Sequence, residues 1–239
     1  MEPDQYARMD AAEGGMWWYR ALHARLIAAL SPVRGRVLDA GCGTGGFLRR
    51  LGAARPDLTR VGCEWDEEAA RRARGKSGAV LVRGSVNALP FAAVSFDAAV
   101  AADVLCHEAV APGPALAELA RVLRPGGLLV VNMPAYAWLA SAHDRRVGNA
   151  RRLTAGGTRA LLRAAGFERV RAGYWNGLLL PAMAVRRKLL ARAADAPSDV
   201  AEFPPWLDRI LHGIAAAERR LPLRLPAGGS VIATARRPA

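Results

Sequence analysis

The chain has 239 residues, 52% of them hydrophobic, which is enough for one domain with a large core and room for an inserted cap; its formal charge of +13 is almost all arginine, because Lys76 and Lys188 are the only lysines. Such an excess of base raises nucleic acid or an anionic membrane as partners, but no basic motif interleaved with aromatics is present, and nucleic acid is disfavoured. Three scattered cysteines (Cys42, Cys63, Cys106), an acidic start and no apolar run of about 18 residues argue against a disulfide frame, a zinc site, a signal peptide and a membrane span, and predict a reduced, cytoplasmic setting with at most peripheral membrane contact.

Residues 1–35 read as an N-terminal helical lid, with a helix over 17–30 that Ser31-Pro32 stops. Strand and helix signals then alternate. Strands are expected at Arg36–Ala40, Arg60–Glu64, Ala79–Arg83, Phe96–Ala102, Leu128–Asn132 and Phe167–Ala172. Helices are expected at Gly45–Ala54, Glu67–Arg74, Pro114–Leu123 and Thr158–Ala165. This rhythm implies an α/β fold, a doubly wound and mostly parallel sheet covered on both faces, over 36–174. Residues 175–229 break the rhythm and read as a helical insert or cap, with a stripe of Trp206, Leu207, Ile210, Leu211 and Ile214. A final strand, Ser230–Arg236, returns within 230–239 to the core.

The stretch Arg-Val-Leu-Asp-Ala-Gly-Cys-Gly-Thr-Gly-Gly (36–46) is a strand with an acid at its mouth, followed by a glycine turn that opens a helix. That arrangement lets a nucleoside cofactor lie against bare backbone. The glycines alone satisfy both the dinucleotide pattern (Gly41, Gly43, Gly46) and the S-adenosylmethionine pattern (Gly41, Gly43, Gly45). Asp39 favours the second, because a carboxylate there attracts an ammonium and a sulfonium and repels a diphosphate. Glu64 ends strand two, where a carboxylate takes both ribose hydroxyls of either cofactor, and Trp65 is placed to pack on an adenine face.

Four stretches carry a resemblance to the class I S-adenosylmethionine-dependent methyltransferases. They are Val-Leu-Asp-Ala-Gly-Cys-Gly-Thr-Gly (37–45), Val-Gly-Cys-Glu (61–64), Gly-Ser-Val-Asn-Ala-Leu-Pro-Phe with Ser-Phe-Asp-Ala (84–91, 95–98), and Leu-Arg-Pro-Gly-Gly-Leu-Leu-Val-Val (123–131). The resemblance implies a seven-stranded sheet whose last strand is antiparallel, and S-adenosylmethionine as cofactor. It assigns Gly41, Gly43 and Gly45 to the cofactor's amino-acid and ribose parts and Glu64 to the ribose. Val86, with Ser85 or Asn87, falls to the adenine edge; many relatives carry Asp at the position of Ser85. A closer resemblance takes in Trp17-Trp18-Tyr19 and Pro134–Asp144, where relatives continue with Gly-His and Arg-Arg-Tyr and this chain has Gly148-Asn149 and Arg151-Arg152-Leu153.

Methyl transfer asks the protein to align donor and acceptor and to exclude water; a base is needed only when the acceptor's proton is hard to lose. His107, behind Asp103 at the end of strand four, and His143, beside Asp144, are the candidate bases, and Asp103 is assigned to the cofactor. Trp17, Trp18, Tyr19, Tyr136, Trp138 and Asp144 are assigned to the acceptor; the first three serve either as a lid or as a staple of the first helix. The expected function is methyl transfer to a small or lipid-linked metabolite, in a chain that can also form homo-oligomers. The alternative is a non-catalytic partner that docks on a membrane or a second enzyme through 175–229. The arginine-rich stretch 145–192, opposed only by Glu168, fits either solvated helix faces or an anionic acceptor or lipid headgroup.

Overall fold

The computed structural model describes residues 3–187, 203–221 and 225–239. Seven strands form one sheet in the order β3-β2-β1-β4-β5-β7-β6, with β7 antiparallel to both its neighbours and the other pairings parallel. The strands are β1 Arg36–Ala40, β2 Thr59–Glu64, β3 Val80–Arg83, β4 Phe96–Ala102, β5 Leu123–Pro134, β6 Glu168–Trp175 and β7 Ser230–Arg236. The helices are α1 Pro3–Ala12, α2 Trp17–Ala29, α3 Gly46–Ala54, α4 Glu67–Ser77, α5 Pro112–Val122, α6 Ala142–Arg146, α7 Ala155–Ala164, α8 Leu180–Val185 and α9 Pro205–Arg220.

The central strands are apolar on both sides because both sheet faces are covered. Leu38, Ala99, Ala101, Leu129 and Val131 face one layer, with Leu116 and Leu119 of α5 and Leu162 of α7. Val37, Val100 and Val130 face the other, with Leu22 and Leu26 of α2, Leu51 of α3 and Ala215 of α9. Local chemistry sets the helix ends: Asp66 accepts from Ala69 N at 2.9 Å to start α4, and Gly78 closes it at φ +63°.

β5 starts at Leu123, upstream of the expected Leu128, because Phe96 pairs with Leu123 across a register shift and draws the Pro-Gly-Gly segment into the strand. The stripe expected along α9 is split. Leu211 and Ile214 pack inward beside Ala215, whereas Trp206 and Ile210 stay exposed. Part of the insert, 188–202 and 222–224, lies outside the described residues. Among the described residues no helix is long and apolar enough to cross a membrane.

Candidate active site

A cavity of about 650 Å³ opens at the carboxyl ends of β1, β2 and β4, where the strand order reverses and such sheets hold their ligands. Gly41 (φ +79°) and Gly43 (φ +53°) line it, and a Cβ on either would drive into a neighbour: Val104 Cγ2 at 2.6 Å from the first, Met9 Cε at 2.8 Å from the second. These are positions where a bare backbone must face the ligand space. Gly45 does not line the cavity. Its own φ of +85° turns it toward Ala73 of α4, so it packs the loop down rather than touching a ligand.

Five carboxylates line the cavity: Glu13, Asp39, Glu64 and Asp103, and on the far side Asp144, which pairs with Arg152. Asp39 is 3% exposed, and its carboxylate has no hydrogen-bond or ion-pair partner among the described residues. Burial, then the charges of Glu64 and Glu13, push its carboxyl up to about 8. Glu64 accepts from Gly43 N at 2.8 Å and from Asp66 N at 3.0 Å; burial raises its pKa and those backbone bonds oppose the rise. Burial also raises Asp103, to about 6, against the hydrogen bond from Asn132. Such a cluster repels anions and favours a ligand that carries positive charge.

Glu13 answers the ambiguity of the glycine pattern. Gly46 N donates to its Oε2 at 3.0 Å and Thr44 Oγ1 to its Oε1 at 2.7 Å, so a carboxylate from the α1–α2 turn caps α3. Lys76 pairs with both Glu13 and Asp10, and Arg72 also pairs with Asp10, clamping α1 onto α4. The helix N-terminus that would cradle a diphosphate is therefore filled by the chain's own acid. No motif marks Glu13 in the sequence; its contact depends on α1 crossing the strand ends.

The cavity wall also holds Trp65, Ser85, Val86, Asn87, His107, His143, Trp17, Trp18, Tyr19 and Asp144. Trp65 remains 72% exposed, at the rim. The Asn87 amide is engaged with the next loop, donating to Ala109 O and accepting from Ala111 N, each at 3.0 Å, which leaves Ser85 the freer polar group at this edge. Trp18 stacks on Trp175 with ring centroids 5.9 Å apart, and Trp17 N donates to Asp208 of α9. Asp144 is held by Arg152 through both carboxylate oxygens, at 2.7 and 2.9 Å, and accepts from Ser141 N at 2.8 Å, so its first role is to anchor the 135–152 segment. Burial lowers the His107 pKa, which keeps its imidazole neutral at neutral pH. Asn149 accepts from Cys106 Sγ at 3.1 Å.

Tyr136 and Trp138 stand outside the cavity. The chain turns at Tyr136 (φ +52°), whose ring stacks on Tyr174 at 5.3 Å, while Trp138 stays 48% exposed. Residues not foreseen bring the site together from a distance: Tyr6, Met9 and Glu13 before α2, His23 on α2, Arg152, Asn176, and Arg186 and Arg187 after α8.

The strand order, glycine loop and acid-lined crevice define a Rossmann-like nucleoside-binding fold of the class I methyltransferase type. Residues 38–131 match the family model of the methyltransferase domain. Over 114 residues it is 36% identical to 24-methylenesterol C-methyltransferase 2 of Oryza sativa subsp. japonica, covering 45% of this chain and 30% of that one. Over 126 residues it is 34% identical to malonyl-[acyl-carrier protein] O-methyltransferase of Herminiimonas arsenicoxydans, covering 52% and 46%. The chain thus spans less than half the length of these curated relatives. A solved SAM-dependent methyltransferase of Thermotoga maritima shares the fold with a TM-score of 0.60 at 19% identity, over 98% of this chain and 95% of that one.

Proposed function

We propose that the chain transfers a methyl group from S-adenosylmethionine to a small or lipid-linked metabolite. The observation that carries this reading is the division of charge around one cavity. The acids Glu13, Asp39, Glu64 and Asp103 gather toward the ends of β1, β2 and β4, and Arg152, Arg186 and Arg187, set against the one acid Asp144 that pairs with Arg152 and Arg187, lie beyond β5 and α8. The acidic side suits the cationic cofactor, and the arginine side suits an acceptor with an anionic group. The cofactor, when bound, supplies a methyl group activated on a sulfonium.

The protein's own share is alignment and exclusion of water. Gly41 and Gly43 let the cofactor approach the backbone, Asp39 and Glu64 hold its charged and hydroxyl-bearing ends, and Val86 and Ser85 border the base. α1 and α2 act as the lid, with Trp17, Trp18 and Tyr19 closing the roof, and α8 and α9 cap the acceptor side. The neutral imidazole of His107 serves as proton acceptor, and His143 is a second candidate on the same cavity wall. The exposed Trp206 and Ile210 of α9, beside Arg209, support contact with a lipid carrier or membrane surface.

The test is transfer of labelled methyl from S-adenosylmethionine into fractionated metabolites and lipids by the purified chain. Label is expected in an acidic small-molecule or lipid fraction and is expected to drop at least tenfold with His107→Ala. Label found only in RNA or protein would overturn the acceptor class.

A further inference from the structure

β5 is an apolar strand that carries one polar side chain inward. Asn132 has no exposed surface, and its amide is gripped at both ends. Trp175 Nε1 donates to Asn132 Oδ1 at 2.9 Å, and Asn132 Nδ2 donates to both carboxylate oxygens of Asp103 at 3.0 Å. An indole nitrogen can only donate, so it dictates which end of the amide faces it and turns the NH2 group toward Asp103. Asp103 N also donates to the Asn132 carbonyl at 3.0 Å, while Asp103 itself holds φ +54°. Trp175 cannot swing away: Trp18 of α2 stacks on it, and the Arg25 guanidinium lies 4.6 Å from its ring centroid, tethered in turn to Glu218 of α9.

We propose that Asn132, oriented by the Trp175 indole, is a positioning residue that keeps the Asp103 carboxylate ionised and directed into the cavity for a cationic ligand. The orientation stands on the hydrogen bonds alone; the nature of the ligand rests on the S-adenosylmethionine reading above. Other groups act on Asp103 through charge. Arg152 stabilises the carboxylate, Asp144 opposes it, and the Tyr19 hydroxyl and the Cys106 thiol stand near it. Among the described residues only Asn132 donates a hydrogen bond to the carboxylate oxygens.

Carbon-13 NMR of the aspartate carboxyls in the full chain, from about pH 4 to about pH 8, reads the Asp103 midpoint without any cofactor, with Asp103→Asn giving the assignment. Trp175→Phe keeps an aromatic ring between Trp18 and Arg25 and deletes the indole donor. The freed Asn132 amide can then turn its oxygen toward the carboxylate. The Asp103 midpoint is expected to rise by roughly one pH unit in Trp175→Phe and in Asn132→Leu. Calorimetry with S-adenosylmethionine should then show several-fold weaker binding than wild type near pH 6 and little difference near pH 8. Unmoved midpoints overturn the proposal, and Trp175→Phe decides it alone if Asn132→Leu does not fold. A shifted midpoint with unchanged binding near pH 6 overturns the role toward the ligand. A shifted midpoint in a chain that binds no S-adenosylmethionine at all supports the positioning and removes the cofactor reading instead.

Discussion

Glu218→Ala is expected to destabilise the chain by about 3–5 kcal/mol, the cost of breaking a buried charge pair by removing one partner. The Glu218 side chain is 3% exposed and its carboxylate takes four donors. Asn176 N, Gly177 N and Leu178 N donate at 2.6, 2.7 and 3.0 Å, and Arg25 Nη2 at 3.0 Å. Alanine leaves the Arg25 charge without its counterion and three backbone donors unsatisfied at the end of β6, where Asn176 already holds φ +60°. The loss should appear as a drop in Tm of about 10 °C or more in thermal unfolding. Glu218→Gln keeps one acceptor oxygen and should lose less. Because this residue joins α9 to α2 and to β6, a change of Tm within about 2 °C would mean the insert is not clamped to the core in this way.

Glu64→Ala is expected to weaken S-adenosylmethionine binding by about 10- to 100-fold, or roughly 1.4–2.8 kcal/mol, with a much smaller effect on unfolding. Two contributions add. The carboxylate is lost to the cofactor, and Gly43 N and Asp66 N lose the acceptor that fixes the loop between β1 and α3 against the end of β2. Isothermal titration of wild type, Glu64→Gln and Glu64→Ala should rank affinities in that order. Equal affinities would remove Glu64 from the cofactor site.

The bounds of β1, β4 and β7 are legible in the sequence because short buried strands with turn-bearing flanks leave sharp signals. The glycine loop and Glu64 are legible because each position follows from its place at a strand end. The α5–β5 boundary is not, since Leu123 is paired by Phe96 from another strand. Glu13 is invisible for the same reason: its partners Thr44 and Gly46 are 31 and 33 positions away, and the contact exists only once α1 lies across the strand ends. Asn132 is half legible. A polar residue inside an apolar strand asks for a buried partner, but nothing nearby in the chain names Trp175, 43 positions on. Tyr136 and Trp138 mislead because position after β5 suggests the ligand side, whereas the turn at Tyr136 carries both rings outside the cavity.

The most direct test is calorimetric titration of the wild-type chain with S-adenosylmethionine and, separately, with NADH, at steps from about pH 6 to about pH 9. Asp39 is pushed up to about 8, so below that pH it is mostly neutral, and a cation recruits its ionised form with release of a proton. S-adenosylmethionine is therefore predicted to bind, with affinity that climbs from about pH 6 toward about pH 8, above which the cofactor's own ammonium loses its proton, while NADH gives no heat of binding. A flat S-adenosylmethionine trace beside a saturating NADH trace, or an affinity that falls between about pH 6 and about pH 8, would contradict the account.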